Sequence, residues 1–248
     1  MATLWYKICS LSAMLQLEGI VMRLVRYKES SLILDMYTDK LGMQSFVMNG
    51  VFSRGNQRLA ALFQLSNILD FVCYYHENKT LHRIKEARSS IIYQHIHSDI
   101  VKSAVTSFML ELCRKSIYEK QSNPELFTFL KTSFVNLDRI EKIEFDFHLR
   151  FSVELLQYIG FSPQTNYSER NNSFDLENSD FAPYDSQNKF HILPEYSFVF
   201  YQLLAAQKAE LKLDTRRKIM DLIILYYKMH IDQFGEMKSP EIYKTIFG

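Results

Sequence analysis

Three groups of side chains have types that could do chemistry. His95, His97 and Asp99 have the composition of a metal-ligand cluster; Glu144, Asp146, His148 and Glu154 offer carboxylates and an imidazole in one segment; Cys9, Cys73 and Cys113 are thiols. Spacing removes each in turn. His95-Ile96-His97 stands at a helix start without a further ligand set, and surface and capping roles suffice for it. Residues two apart on a helix point to different faces, so Glu144, Asp146 and His148 form neither paired carboxylates nor an HExxH zinc face. Cys113 falls inside an apolar helical stripe and reads as a packed small side chain. The cysteines are odd in number, far apart and in no CxxC pair, so a disulfide framework is unsupported and a reducing compartment is the natural setting. Phosphate-cradling GxGxxG and GxxxxGK loops and the GxSxG elbow are absent too. The sequence assigns no catalytic residue, no metal ligand and no cofactor, and the chain reads as a non-enzyme.

Charge is the chemistry that remains. The whole chain carries 29 Lys and Arg against 28 Asp and Glu, and a net +1 taken alone argues against a strongly basic nucleic-acid-binding domain. Residues 14–90, however, hold ten basic and seven acidic side chains, net +3, and residues 164–195 hold two and six, net −4. Arg23, Arg26 and Lys28 lie at the end of a first candidate strand and its turn, Arg54 and Arg58 in a long connection, and Lys79, Arg83 and Lys85 around a last hairpin. With Tyr27, Phe52, Tyr74 or Tyr75 among them, such residues could give one groove both phosphate contacts and stacking surfaces. A solvated charged face is the competing reading.

The elements that must position these residues are legible in the apolar pattern. Short runs rich in Val, Ile, Leu, Phe and Tyr predict strands at Leu17–Arg26, Ser31–Thr38, Met43–Gly50, Ile68–Tyr75 and Leu81–Ala87, with a long polar connection from Phe52 to Gln64. Such a series suggests a small OB-type barrel, with an SH3-like barrel as competitor. After Ala87 the period becomes helical, over His95–Lys120, from Asn123-Pro124 onward, over Glu141–Tyr158, Tyr196–Leu211 and Asp214–Phe234, with a short turn expected in Ser239–Phe247. Between Pro163 and Pro194 the Asn, Ser, Asp and Gln residues show no periodicity and read as an exposed acidic loop. Only twelve of the 248 residues are Gly or Pro, in keeping with long helices. The expected architecture is α+β and multi-domain: an N-terminal extension at 1–13, an OB-fold β-barrel at 14–88, and an all-α helical domain at 89–248 interrupted by the acidic polar loop at 164–195. No stretch reaches ~18 uncharged apolar residues, so no membrane span is expected and a cytoplasmic setting is.

Order adds a further reading. Leu17-Glu18-Gly19-Ile20-Val21-Met22-Arg23 is followed by Tyr27-Lys28-Glu29-Ser30-Ser31-Leu32-Ile33-Leu34, Tyr37-Thr38-Asp39-Lys40-Leu41-Gly42 and Met48-Asn49-Gly50-Val51, with Leu62 to Leu69 as the next strand entry. Further on come Glu154-Leu155-Leu156-Gln157-Tyr158-Ile159-Gly160-Phe161-Ser162-Pro163 and a segment ending Lys238-Ser239. In this order and spacing they resemble the bacterial recombination mediator family RecO, over nearly everything from Met14 to the end. The resemblance implies an OB fold followed by helices, binding of single- and double-stranded DNA, annealing of complementary strands, and assistance to RecA loading on SSB-coated DNA with RecR, at the nucleoid. It implies DNA contact through the basic residues named above. The family's binding of the SSB C-terminal tail, an acidic peptide ending in apolar residues, implies a groove rimmed by cations, for which Arg114, Lys115, Arg216 and Arg217 are candidates. An adaptor whose helices hold partner tails and whose barrel is structural is the alternative. Many members carry a four-cysteine zinc site just after the "LGxxP" motif, whereas Thr165 to Pro194 has no cysteine, so zinc is not carried over. The third-strand exit, Val51-Phe52-Ser53-Arg54, has one basic residue where the family often has consecutive ones, and Arg58 partly compensates.

Overall fold

Alternating inward and outward side chains between Ala13 and Ser89 build a barrel in a computed structural model of the chain, which describes residues 13–209 and 211–242. Among the described residues its strands are β1 (Ala13–Tyr27), β2 (Ser31–Thr38), β3 (Gly42–Met48), β4 (Ile68–Tyr75) and β5 (Leu81–Ser89), with a short helix α1 (Gln57–Leu62) between β3 and β4. The sheet closes in the order β1-β2-β3-β5-β4. β1 pairs with both β2 and β4, and β3 runs parallel to β5. That order, with the helix between the third and fourth strands, is the OB arrangement rather than the SH3-like one. β2 and β4 coincide with the predicted strands, while β1 and β5 run longer. The expected polar connection contains α1, whose Leu59 and Leu62 pack on the barrel core.

Leu17, Val21, Leu34, Met36, Phe46, Leu69, Phe71, Cys73 and Ile84 fill the barrel. Phe46 and Phe71 meet edge to face with centroids 5.0 Å apart. Each such side chain contributes about 1.5–3 kcal/mol relative to an exposed one. The described residues divide into two compact units, one comprising 13–93 with Glu119–Phe127 and the other Gln94–Tyr118 with the described residues from Thr128 on. In the first unit Phe127 stacks on outward-facing Tyr37 at 6.5 Å, and β3 receives the Glu119 carbonyl at the Met43 N–H, 2.9 Å.

The remaining elements are α2 (Ile100–Ser116), α3 (Pro124–Arg139), α4 (Phe147–Tyr158), β6 (Ser173–Asp175), β7 (Asp180–Ala182), α5 (Pro194–Leu204) and α6 (Leu213–His230). Four helices are shorter than their apolar patterns predicted, α6 among them, ending at His230 rather than Phe234. α2 starts at Ile100 rather than His95 because Asp99 caps it, accepting from Val101 and Lys102 N–H groups at 2.8 and 3.0 Å. The preceding His95-Ile96 turn is held instead by the Asp138 carboxylate, which accepts from the Gln94, His95 and Ile96 amides at 2.7–3.1 Å. α4 begins at Phe147, not Glu141, and α5 ends at Leu204, not Leu211.

The largest correction concerns residues 164–195, expected as an exposed acidic polar loop. β6 and β7 form a hairpin there, and Phe174, Leu176, Phe181 and Ile192 are buried. Its polar residues bond the backbone. Asn166 exchanges two hydrogen bonds with Phe181, at 2.8 and 3.0 Å, and Ser173 and Ser197 hydroxyls serve Ile192 and Phe174. α6 fastens the hairpin. Tyr226 donates to the Phe161 carbonyl at 3.0 Å and also meets the Ser179 hydroxyl, while His230 Nε2 donates to the Leu176 carbonyl at 2.7 Å. The N-terminal extension, apart from Ala13, and Cys9 lie outside the described residues. Of the expected C-terminal turn, residues 239–242 are helical and 243–247 lie outside them.

Candidate nucleic-acid interface

Strand alternation decides which barrel side chains can reach a partner. On β1 a bulge between Val21 and Arg23 resets the alternation, so Arg23, Val25 and Tyr27 all point outward. Following the register from Val25, the outward row passes Ile33 on β2, Val47 on β3, Arg83 on β5 and Tyr74 on β4, and returns to β1 at Met14. A second row joins Arg23, Asp35, Ser45 and Leu81. Together they make a band of Val25, Ile33, Val47 and Leu81 bordered by cations. Val25 and Leu81 are 39% and 38% exposed, whereas outward-facing Ile20, Tyr37 and Ile68 at the other end of the strands are fully buried. The open surface is therefore the half of the barrel near the β1–β2 turn and the first residues of β5.

The basic residues fall around this half. Lys28 occupies the β1–β2 turn in the left-handed region, φ 55°, and Lys79 the β4–β5 hairpin. Arg83 points outward beside Val47. Lys85 sits at a β5 bulge with its ammonium 3.9 Å from the Met14 sulfur. Arg26 caps the end of β1, donating to the Glu29 carbonyl, with its guanidinium 4.9 Å over the Phe52 ring. Arg54 is exposed in the β3–α1 connection and Arg58 on α1. Arg23 differs from the rest. Its guanidinium lies 3.3 Å from Asp35 Oδ2, and Ser45 donates to the other oxygen of that carboxylate at 2.6 Å. Of the aromatics, Tyr27, Phe52 and Tyr74 are exposed, but Tyr75 turns inward against His82, centroids 4.6 Å apart. The aliphatic band itself was missed at the level of sequence, although the alternation of Arg23, Val25 and Tyr27 and of Ile33 and Asp35 is its signal.

The four candidate partner-binding residues lie at two helix ends. Arg114 and Lys115 close α2, where cations complement the helix dipole, and Lys115 donates to the Phe234 carbonyl at 3.1 Å. Arg216 and Arg217 are in the first turns of α6. Arg216 covers the half-exposed Phe145 ring at 4.5 Å, and the neighbouring Arg150 binds Asp146 at 2.7 Å. Phe145 is the residue the sequence reading missed here.

Zinc does not fit the hairpin segment. Its polar centre is Asp175, which accepts from the Glu177 and Asn178 amides and the Asn178 side chain at 2.8–3.3 Å. His191 takes the Asp185 N–H at Nδ1, 3.1 Å, which leaves Nε2 to donate to Asp175, 3.4 Å. One carboxylate, one imidazole and several amides are no tetrahedral zinc set, and no group of three or more His, Cys, Asp or Glu able to hold a metal occurs among the described residues. Burial pushes the Asp175 carboxyl up, but these hydrogen bonds outweigh it and hold it below the ordinary range. No helix among the described residues is long and apolar enough to cross a membrane.

Comparison with known proteins finds similarity over most of the chain. Residues 13–92 match the family described as recombination protein O N terminal, and residues 97–240 match recombination protein O C terminal. The chain is 30% identical over 238 residues to a DNA repair protein RecO of Flavobacterium psychrophilum, covering 93% of this chain and 98% of that protein. It is also 30% identical to the proteins of that name from Christiangramia forsetii and Bacteroides fragilis, across 93% and 92% of this chain and 98% and 97% of theirs.

Proposed function

The chain belongs to the RecO family of recombination proteins, and on that premise we propose that it is a non-enzymatic DNA repair and recombination mediator. It binds single- and double-stranded DNA on the open half of its barrel, anneals complementary strands, and assists RecA loading on SSB-coated DNA with RecR, in the cytoplasm at the nucleoid. The observation that carries this reading is the outward band of Val25, Ile33, Val47 and Leu81 with Lys28, Arg83 and Lys85 at its borders. Arg23, Arg26, Arg54, Arg58 and Lys79 complete the set of proposed phosphate contacts. Such a surface neutralises phosphates without a nucleotide cofactor. The test is annealing of two complementary strands by the purified protein without ATP. Faster annealing than the protein-free control supports the reading; no annealing together with no DNA binding overturns it.

A second activity rests on Phe145 and Arg216. An exposed ring under a guanidinium suits the apolar end and the acidic stem of the SSB C-terminal tail. Arg217, the next residue on α6, and Arg114 and Lys115 are the other proposed rim residues. Capture of that tail peptide should be lost in the Arg216→Ala, Arg217→Ala double variant while DNA binding persists.

A further inference from the structure

Two cation-backed rings stand at one end of the open barrel surface. Arg26 lies 4.9 Å over the Phe52 ring, and the Lys28 ammonium lies 5.2 Å over that of Tyr27. Each of the two residues nevertheless remains 41% exposed. The β1–β2 turn beside Tyr27 and the connection that carries Phe52 are clipped together: the Phe52 N–H donates to the Ser30 carbonyl at 3.0 Å and Ser31 donates to the Asn49 side chain at 3.1 Å, while within the connection Asn56 holds the Gly50 carbonyl at 2.8 Å. Both rings are thus presented on a braced platform rather than on free loops. The middle of the band, by contrast, is aliphatic, and Val25, Ile33 and Val47 offer no π face to a base.

From this we infer that Phe52 and Tyr27 form a base-stacking subsite that distinguishes single strands from duplex, while the rest of the surface contacts phosphates. The inference rests on the DNA-binding reading above and assigns its strand preference to these two rings. A base lies on the exposed part of each ring, and the cation behind it strengthens the stack and neutralises the adjoining phosphate. Bases paired and stacked within a duplex cannot reach the rings, so duplex binding uses the cations alone. Stacking is insensitive to salt, which separates its contribution from that of Arg26 and Lys28.

The experiment compares three fluorescent probes of equal length, a thymine single strand, an abasic single strand and a duplex, by anisotropy with the full-length protein. Wild type should bind the thymine strand at least ~30-fold more tightly than the abasic strand, the lower end expected for two stacked bases. Phe52→Ala and Tyr27→Ala should each weaken the thymine strand several-fold and leave the abasic strand, the duplex and the salt slope unchanged. Phe52→Trp, which keeps a ring, should restore thymine binding, and circular dichroism confirms that each variant is folded. Equal binding of thymine and abasic strands by wild type overturns the inference while leaving the DNA-binding reading intact. Equal loss on all three probes in the alanine variants also overturns it, because the rings would then only shape the loops. No binding of any probe by wild type overturns both.

Discussion

Arg23 and Asp35 face each other across β1 and β2, guanidinium to carboxylate at 3.3 Å, in the middle of the surface assigned to DNA. Asp35 is further fixed by the Ser45 hydroxyl. The pair leaves Arg23 only partly available to phosphate. In Asp35→Asn the guanidinium is released to phosphate, and DNA should bind about three- to ten-fold more tightly, with a log–log salt slope steeper by up to ~1. Arg23→Ala should weaken binding less than Arg83→Ala does, because Arg23 is already partnered. Anisotropy titrations at several salt concentrations check both orderings.

Acid should weaken the helical unit before its carboxylates titrate. His148 is buried against Phe108, and burial, with Arg216 nearby, lowers its pKa to about 3. The unfolded chain titrates near 6.5, so the stability from keeping this imidazole neutral is complete above that pH and falls as pH drops toward 3. The loss is about 1.4 kcal/mol per pH unit in that window. Burial lowers His97 of the same unit as well, which steepens the fall. Asp138 and Glu111 are held below their ordinary values, against the upward push of burial, by backbone N–H donors, so they add to the loss only below about pH 4.5. Chemical denaturation at pH 7.5, 6 and 5 should show the decline, and His148→Gln should flatten it.

The hairpin should depend on Asp175 and not on a metal. Asp175→Ala leaves the buried His191 Nε2 without its acceptor and releases the turn at the exposed Glu177 and Asn178, and should cost about 1–3 kcal/mol. Hydrogen exchange at residues 173–182 should rise with it. A strong chelator should leave the wild-type melting temperature where it was; a drop would point to a metal at this hairpin.

Gly42 is the residue that lets the chain at 119–121 lie against β3. Its φ is +62°, and an added Cβ would sit 2.5 Å from the Gln121 carbonyl oxygen and 2.6 Å from that of Glu119. Backbone cannot yield as a side chain would. Gly42→Ala should therefore cost about 2–4 kcal/mol by denaturant unfolding, more than Gly55→Ala, where a Cβ meets nothing within 4 Å.

The barrel was legible because strand periodicity is local. Ser31–Thr38 and Ile68–Tyr75 alternate cleanly and end at turn residues, so their bounds could be read directly. The helix starts were less so. An apolar stripe running back to His95 does not reveal that Asp99 caps the helix or that Asp138 holds the preceding turn. Residues 164–195 misled for a physical reason: strands of three residues carry no period, and Asn166, Asp175 and Asn178 look like solvent-facing polar residues until the backbone groups they satisfy are known. The basic residues were visible as types, but the aliphatic band between them and the pairing of Arg23 with Asp35 depend on register across strands. Phe145 beside Arg216 depends on packing between α6 and the start of α4, which no local pattern encodes.

The DNA-binding role of the open barrel surface is tested most directly by the affinity for a single strand as a function of salt. With about six phosphates neutralised, the log–log slope should be near −4, and binding should weaken roughly 300-fold between 50 and 200 mM salt. Lys28→Glu with Arg83→Glu should flatten that slope in a protein that still unfolds cooperatively. A wild-type affinity independent of salt, or a double reversal that leaves the slope unchanged, would place the DNA elsewhere or nowhere on this molecule.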